Sequence, residues 1–255
     1  MNCRLCNLPR KLAKSHVIPR AFWPELRGGK DVPLLVSSSA GSLPQRAPIG
    51  VYDQTILCEA CEAKFNEMDD YGINILLKRK AELFKQVPPE GEPVAWKSEV
   101  VDQDRLLVFL VGILWRASVS THGFYQKVVL GPLEPLARQV VMNQDAAVPS
   151  EFGAVLSQWR ANDEHRSLTT GLMDPFKEKW GETTAYRFYF GEVVAYIKAD
   201  KRPFPKELKQ YSLGSHESLT IIARDFSKSK DFGALRRTAI QSHFNHEAFK
   251  RKHQK

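Results

Sequence analysis

Hydrophobic and polar positions follow two different periods along this chain of 255 residues. Between Cys61 and about Gln86, the positions Phe65, Met68, Gly72, Ile75, Leu76 and Leu83 form one stripe at helical spacing, which predicts an amphipathic helix. The segment Val87-Pro-Pro-Glu-Gly-Glu-Pro should stop that helix and mark a domain boundary. From about Arg105 to Val119 the chain is apolar on every side, with Phe109, Leu110, Ile113, Leu114 and Trp115. This reads as a core helix that Asp102 or Asp104 could cap, with Arg116 snorkelling from it. A second helix is expected from Leu133 to Met142. Period-two alternation in Tyr186–Phe190 and Glu192–Ala199, around Gly191, predicts a hairpin, and Ser218–Asp225 is a further strand. Phe232 to about Lys252 reads as a basic terminal helix. Upstream, residues 1–20 read as a cysteine turn and a short hairpin, the Gly-, Ser- and Pro-rich residues 27–50 as a long loop, and Val51–Cys58 as a short strand. The fold class is α+β. A small module over residues 1–87 precedes a mixed helix and antiparallel-strand domain over 94–255.

Composition narrows the setting. The apolar fraction is 43% and the charged fraction 26%, as in an ordinary water-soluble domain. No apolar run has the length of a membrane span, and the N-terminus has no signal-peptide stretch, so a cytoplasmic location is expected. The net charge is +8 and is unevenly spread. Arg4, Arg10, Lys11, Lys14, Arg20, Arg27 and Lys30 crowd the first segment, and Arg236, Arg237, Lys250, Arg251, Lys252 and Lys255 crowd the tail. Such clusters favour phosphate-backbone binding by counterion release, with Lys14, Arg20, Arg251 and Lys252 as candidate contacts; a merely solvated cationic face is the alternative.

The chain has four cysteines, in two pairs of identical spacing: Cys3-x-x-Cys6 and Cys58-x-x-Cys61. In a reducing compartment such pairs bind metal rather than form disulfides, and two of them make a closed four-thiolate zinc site. A closed site has no open coordination position, so this zinc is structural. Between the pairs lies Ser15-His16-Val17-Ile18-Pro19. After the second pair, Glu62, Asn66 and Asp70 recur every four residues, with Asp69 beside them, along one polar helix face. With His16 held across from that face, the set could bind one divalent cation and place a base beside it. His243-x-x-His246 reads as part of a polar helix face.

This order of features resembles the HNH, or ββα-metal, nucleases, in the bacterial subgroup braced by four zinc-binding cysteines. The resemblance covers residues 3 to about 72 and extends loosely to Leu114–Ser120. It implies a ββα finger in which His16 is the general base, Asp53 takes the place of an Asn that orients the histidine, and Asn66 is the last metal ligand on the helix. Ser15 and Glu62 stand where the family often has Asp or His ligands. Asp69, Asp70 and Glu62 are the carboxylates that could complete a catalytic site, and such oxygen ligands suit Mg²⁺ or Mn²⁺. The implied chemistry is single-metal phosphodiester hydrolysis of nucleic acid, DNA in the first instance, with Lys14 or Arg20 bracing the transition state. An anti-phage or mobile-element setting is implied by the resemblance alone. The residues leave two alternatives open: a non-catalytic zinc module that binds nucleic acid or protein, and a subunit that acts only with protein partners in a larger complex.

Overall fold

The structure is a computed structural model, and it describes residues 1–23, 34–36, 45–47, 50–160 and 172–253. The elements of the first part are β1 (Ser15–His16), β2 (Leu34–Val36), β3 (Gln45–Arg46) and β4 (Tyr52–Asp53), followed by α1 (Glu59–Glu62), α2 (Asn66–Ile73) and α3 (Lys80–Leu83). The three helices are nearly continuous. A 3-10 turn over Ala63–Phe65 and a π turn over Asn74–Lys78 join them, so the expected helix is present but irregular. Strand β1 pairs antiparallel with β4, Ser15 opposite Asp53 and His16 opposite Tyr52. The strand expected over Val51–Cys58 shrinks to β4, because Thr55 bonds back to the Asp53 carboxylate through its N–H and its hydroxyl and turns the chain. Of the loop expected over 27–50, only β2, β3, Ala47 and Gly50 fall among the described residues.

The remaining elements are β5 (Lys85–Val87), β6 (Ala95–Ser98), α4 (Gln103–Val119), α5 (Glu134–Met142), β7 (Phe152–Trp159), β8 (Leu172–Met173), β9 (Phe176–Trp180), β10 (Thr183–Phe190), β11 (Val193–Ala199), α6 (Lys206–Lys209), β12 (Leu219–Arg224) and α7 (Lys230–His253). Seven strands form one sheet in the order β5-β6-β12-β7-β11-β10-β9. All neighbours are antiparallel except β12 and β7. The segment over residues 87–93, expected to mark a domain boundary, lies in the β5–β6 hairpin. One continuous apolar core runs from Cys3 to Ile221, through both expected domains.

Helix α4 is the axis of that core. Asp102 caps it, accepting from the N–H groups of Asp104 and Arg105 at 3.1 Å each. Every residue from Leu106 to Ala117 is buried, as an all-round apolar helix requires. It packs against α2 and α5 on one side and under β7 and β11 on the other. Gly72 of α2 lets the two helices meet, since a Cβ there would lie 2.5 Å from the Phe109 ring. The sheet's other face carries a second cluster, with Trp159, Tyr189, Val194, Tyr196 and Phe226. Within it, Arg187 and Arg224 both pair with the buried Asp231 at the start of α7. Among the described residues, no helix is long and apolar enough to cross a membrane.

Candidate metal centre and adjoining polar site

The cysteines meet because the two Cys-x-x-Cys turns are tied by backbone contacts. Arg4 N–H donates to Ile56 O at 2.7 Å, and Leu12 bridges Cys58. The first turn closes with Asn7 in the left-handed region, φ 59°, its N–H donating to Cys3 O. In the second, Cys58 caps α1 and its carbonyl accepts from the N–H groups of Cys61 and Glu62. The four sulfurs all lie within 4.8 Å of one another, and Cys6 Sγ and Cys58 Sγ are 4.0 Å apart. A tetrahedral zinc with Zn–S bonds of about 2.3 Å needs sulfurs roughly 3.8 Å apart, so the donor set fits that metal. Cys3, Cys58 and Cys61 are buried. Burial pushes the Cys3 thiol up, but N–H groups of Cys6, Cys58 and Leu5 outweigh it and hold the thiol at about 7. Burial and the neighbouring sulfurs push the Cys61 thiol far up, a cost that a bound cation would remove.

This centre ties β1 to the start of the helix, and the adjoining polar residues then sort by register. Directly opposed residues on an antiparallel pair share a face, and successive residues alternate. His16 therefore shares a face with Tyr52, their ring centroids 6.0 Å apart, while Ser15 and Asp53 occupy the other face. Lys14 lies on the His16 face too, its ammonium 5.6 Å from the Tyr52 ring, and is exposed; Arg20 is also exposed. The placement of Asp53 corrects the role expected for it. Its carboxylate accepts from Thr55 on one oxygen, and from Ser120 Oγ, the Thr121 N–H and hydroxyl, and the His122 N–H on the other. Burial alone would raise its pKa, but these donors, led by Ser120 and Thr55, bring the carboxyl below its ordinary value. Asp53 is a tie between β4 and the end of α4, on the face away from the imidazole.

The helix face is also divided. Asp69 is held in a two-pronged pair with Arg116, at 2.6 and 2.8 Å, so it is not an open cation ligand. Arg116 does not snorkel. It is fully buried, stacks over the Phe65 ring at 4.4 Å, and donates to the carbonyls of His16 at 3.1 Å and Gly112 at 3.4 Å. Asn66 and Asp70 are exposed. Glu62 is half-buried. Desolvation raises its carboxyl, which the nearby Ser15 hydroxyl and Arg116 pull back. Neither Ser15 Oγ nor Glu62 Oε2 makes a well-formed hydrogen bond, and both atoms are buried. The Ser15 hydroxyl and the Glu62 carboxylate thus face each other between strand and helix, with room in their hydrogen bonding for a small divalent cation or a water. Among the described residues, however, the cysteine cluster is the one group of three or more His, Cys, Asp or Glu side chains that converges. The four-residue ligand set of Glu62, Asn66, Asp69 and Asp70 thus does not assemble as expected. Of the distal basic residues, Arg251 is exposed on α7, and Lys252 follows it on the same helix.

Arg116 and the Ser120–His122 segment are the members of this site that sequence reasoning missed. One signal was available, since a charged residue inside an all-apolar helix must find a partner. No protein-family model, curated protein or solved structure matches the chain.

Proposed function

We propose that the chain is an HNH-like, metal-dependent endonuclease that hydrolyses phosphodiester bonds in nucleic acid. The observation that supports this reading is the Ser15 hydroxyl set against the half-buried Glu62 carboxylate, with His16, the next residue on the strand, close enough to Asp69 of the same helix for its charge to be felt there. Glu62, with Ser15 and the exposed Asn66 and Asp70 to its side, would hold a Mg²⁺ or Mn²⁺ ion. Such an ion supplies a positive charge for the leaving oxygen. His16 takes the proton of the attacking water as its oxygen bonds to phosphorus and the bond to the leaving oxygen breaks. Lys14 and Arg20, both exposed on the same segment, hold the flanking phosphates. Arg251 and Lys252 extend that electrostatic footprint, so affinity should fall steeply with salt.

The test is cleavage of plasmid, single-stranded DNA and RNA with Mg²⁺ or Mn²⁺, beside His16→Ala and Glu62→Gln. Both variants should keep their zinc and lose cleavage. Wild-type protein that cleaves none of these substrates, or cleavage that survives both substitutions, refutes the assignment. The pairing of Asp69 with Arg116 favours a second reading, a zinc module that binds nucleic acid or a protein partner without cutting. Binding without cleavage in the same experiment would select it.

A further inference from the structure

The end of α4 grips both strands of the β1–β4 ladder. Arg116 reaches β1 through the His16 carbonyl and α2 through Asp69, while Ser120, Thr121 and His122 reach β4 through the Asp53 carboxylate. The two grips come from one short segment and fall on His16 itself and on Asp53, which lies opposite its neighbour Ser15 in the ladder. A buried ion pair is a poor device for stability, because an apolar side chain of similar volume serves a core as well. What an apolar residue cannot supply is the geometry. The guanidinium fork fixes two oxygens of Asp69 with two nitrogens, and the same Nη1 also holds the His16 carbonyl. Its positive charge also faces Glu62.

We infer that Arg116 is a positioning residue that sets His16 against the helix carrying Glu62, so that the second half of the chain is part of the site. The inference rests on the reading proposed above. Arg116 touches neither substrate nor ion; it acts through the His16 backbone and through Asp69. Lysine at this position keeps the charge but has one nitrogen and no fork, so it cannot hold both Asp69 oxygens and the His16 carbonyl in the same geometry. A displacement of the imidazole by a fraction of an ångström then slows the chemical step and leaves substrate binding nearly intact.

The experiment compares Arg116→Lys and Arg116→Ala with the wild type for zinc content, thermal unfolding, KM and kcat on an oligonucleotide substrate. Arg116→Lys should fold with its zinc and keep KM within about twofold while kcat drops roughly tenfold or more. Low millimolar guanidinium should restore part of the kcat of Arg116→Ala, and ammonium should not. A kcat for Arg116→Lys within about twofold of wild type overturns the inference, as does a loss that follows only the unfolded fraction. If Arg116→Ala fails to fold, Arg116→Lys decides. If the wild type cleaves nothing, the nuclease reading fails. The positioning role is then judged from the His16 imidazole NMR resonances: displacement in Arg116→Lys supports it, and unchanged resonances overturn it.

Discussion

Substituting Asp53 by Asn separates two roles for this residue. If Asp53 oriented the His16 imidazole, Asp53→Asn would mainly slow the chemistry. The structure places the carboxylate on the opposite ladder face, where it takes donors from Thr55 on one oxygen and from Ser120, Thr121 and His122 on the other. An amide offers one acceptor oxygen and one donor NH₂. Whichever way it turns, the NH₂ meets a backbone N–H, of Thr55 or of Thr121. The surviving bonds also lose their charge assistance. With charged hydrogen bonds contributing roughly 1.5–3 kcal/mol each, the loss should be about 3 kcal/mol. For a chain of this size that corresponds to a fall in Tm of roughly 6–12 °C. The pH dependence has a defined sign. The folded carboxyl lies below its ordinary value, so its contribution is complete above the unfolded pKa of about 3.9 and is lost as pH falls below that through the depressed folded value. Asp53→Asn should therefore lower Tm at neutral pH and flatten the acid limb of a Tm-against-pH curve measured by calorimetry. A neutral-pH Tm within about 2 °C of wild type, or an unchanged acid limb, would refute the reasoning.

Two further outcomes follow from the same packing. Cys58→Ser should cost both the metal and the N-terminal fold, since Cys58 is one of the four converging sulfurs and serine, though a good helix cap, is a poor zinc ligand; elemental analysis should find one zinc per wild-type chain, and its absence from protein purified without chelator would end the metal assignment. Gly72→Ala raises helix propensity by about 1 kcal/mol but drives a Cβ to 2.5 Å from the buried Phe109 ring, so overpacking wins and Tm should fall. A variant as stable as wild type would show that Phe109 can yield.

Much was legible in the order of residues, because it is set by local physics. The paired cysteines fix their own turns, the Asp102 cap and the apolar run give α4, and Gly191 with its flanking alternation gives the β10–β11 hairpin. Strand β7 was not legible. Its eight residues include Gly153, Ser157 and Gln158 and are buried on both faces, so no polar alternation marks them. The β5–β6 hairpin was not legible for a similar reason, since the Pro-rich break at residues 88–93 stops a helix equally well when the chain turns back as a strand. In the site itself, sequence supplied the residue types and tertiary structure assigned the partners. Side chains alternate across a strand, so one residue of register decides whether Asp53 faces His16 or turns away, and only the pairing of Ser15 with Asp53 settles that. Asp69 read as an open ligand because its partner, Arg116, lies 47 positions away on another helix. Sequence thus determined which groups could form a metal centre and a polar face. The packing of α4 decided which of those groups are bound to one another, Asp69 to Arg116 and Asp53 to the Ser120–His122 segment.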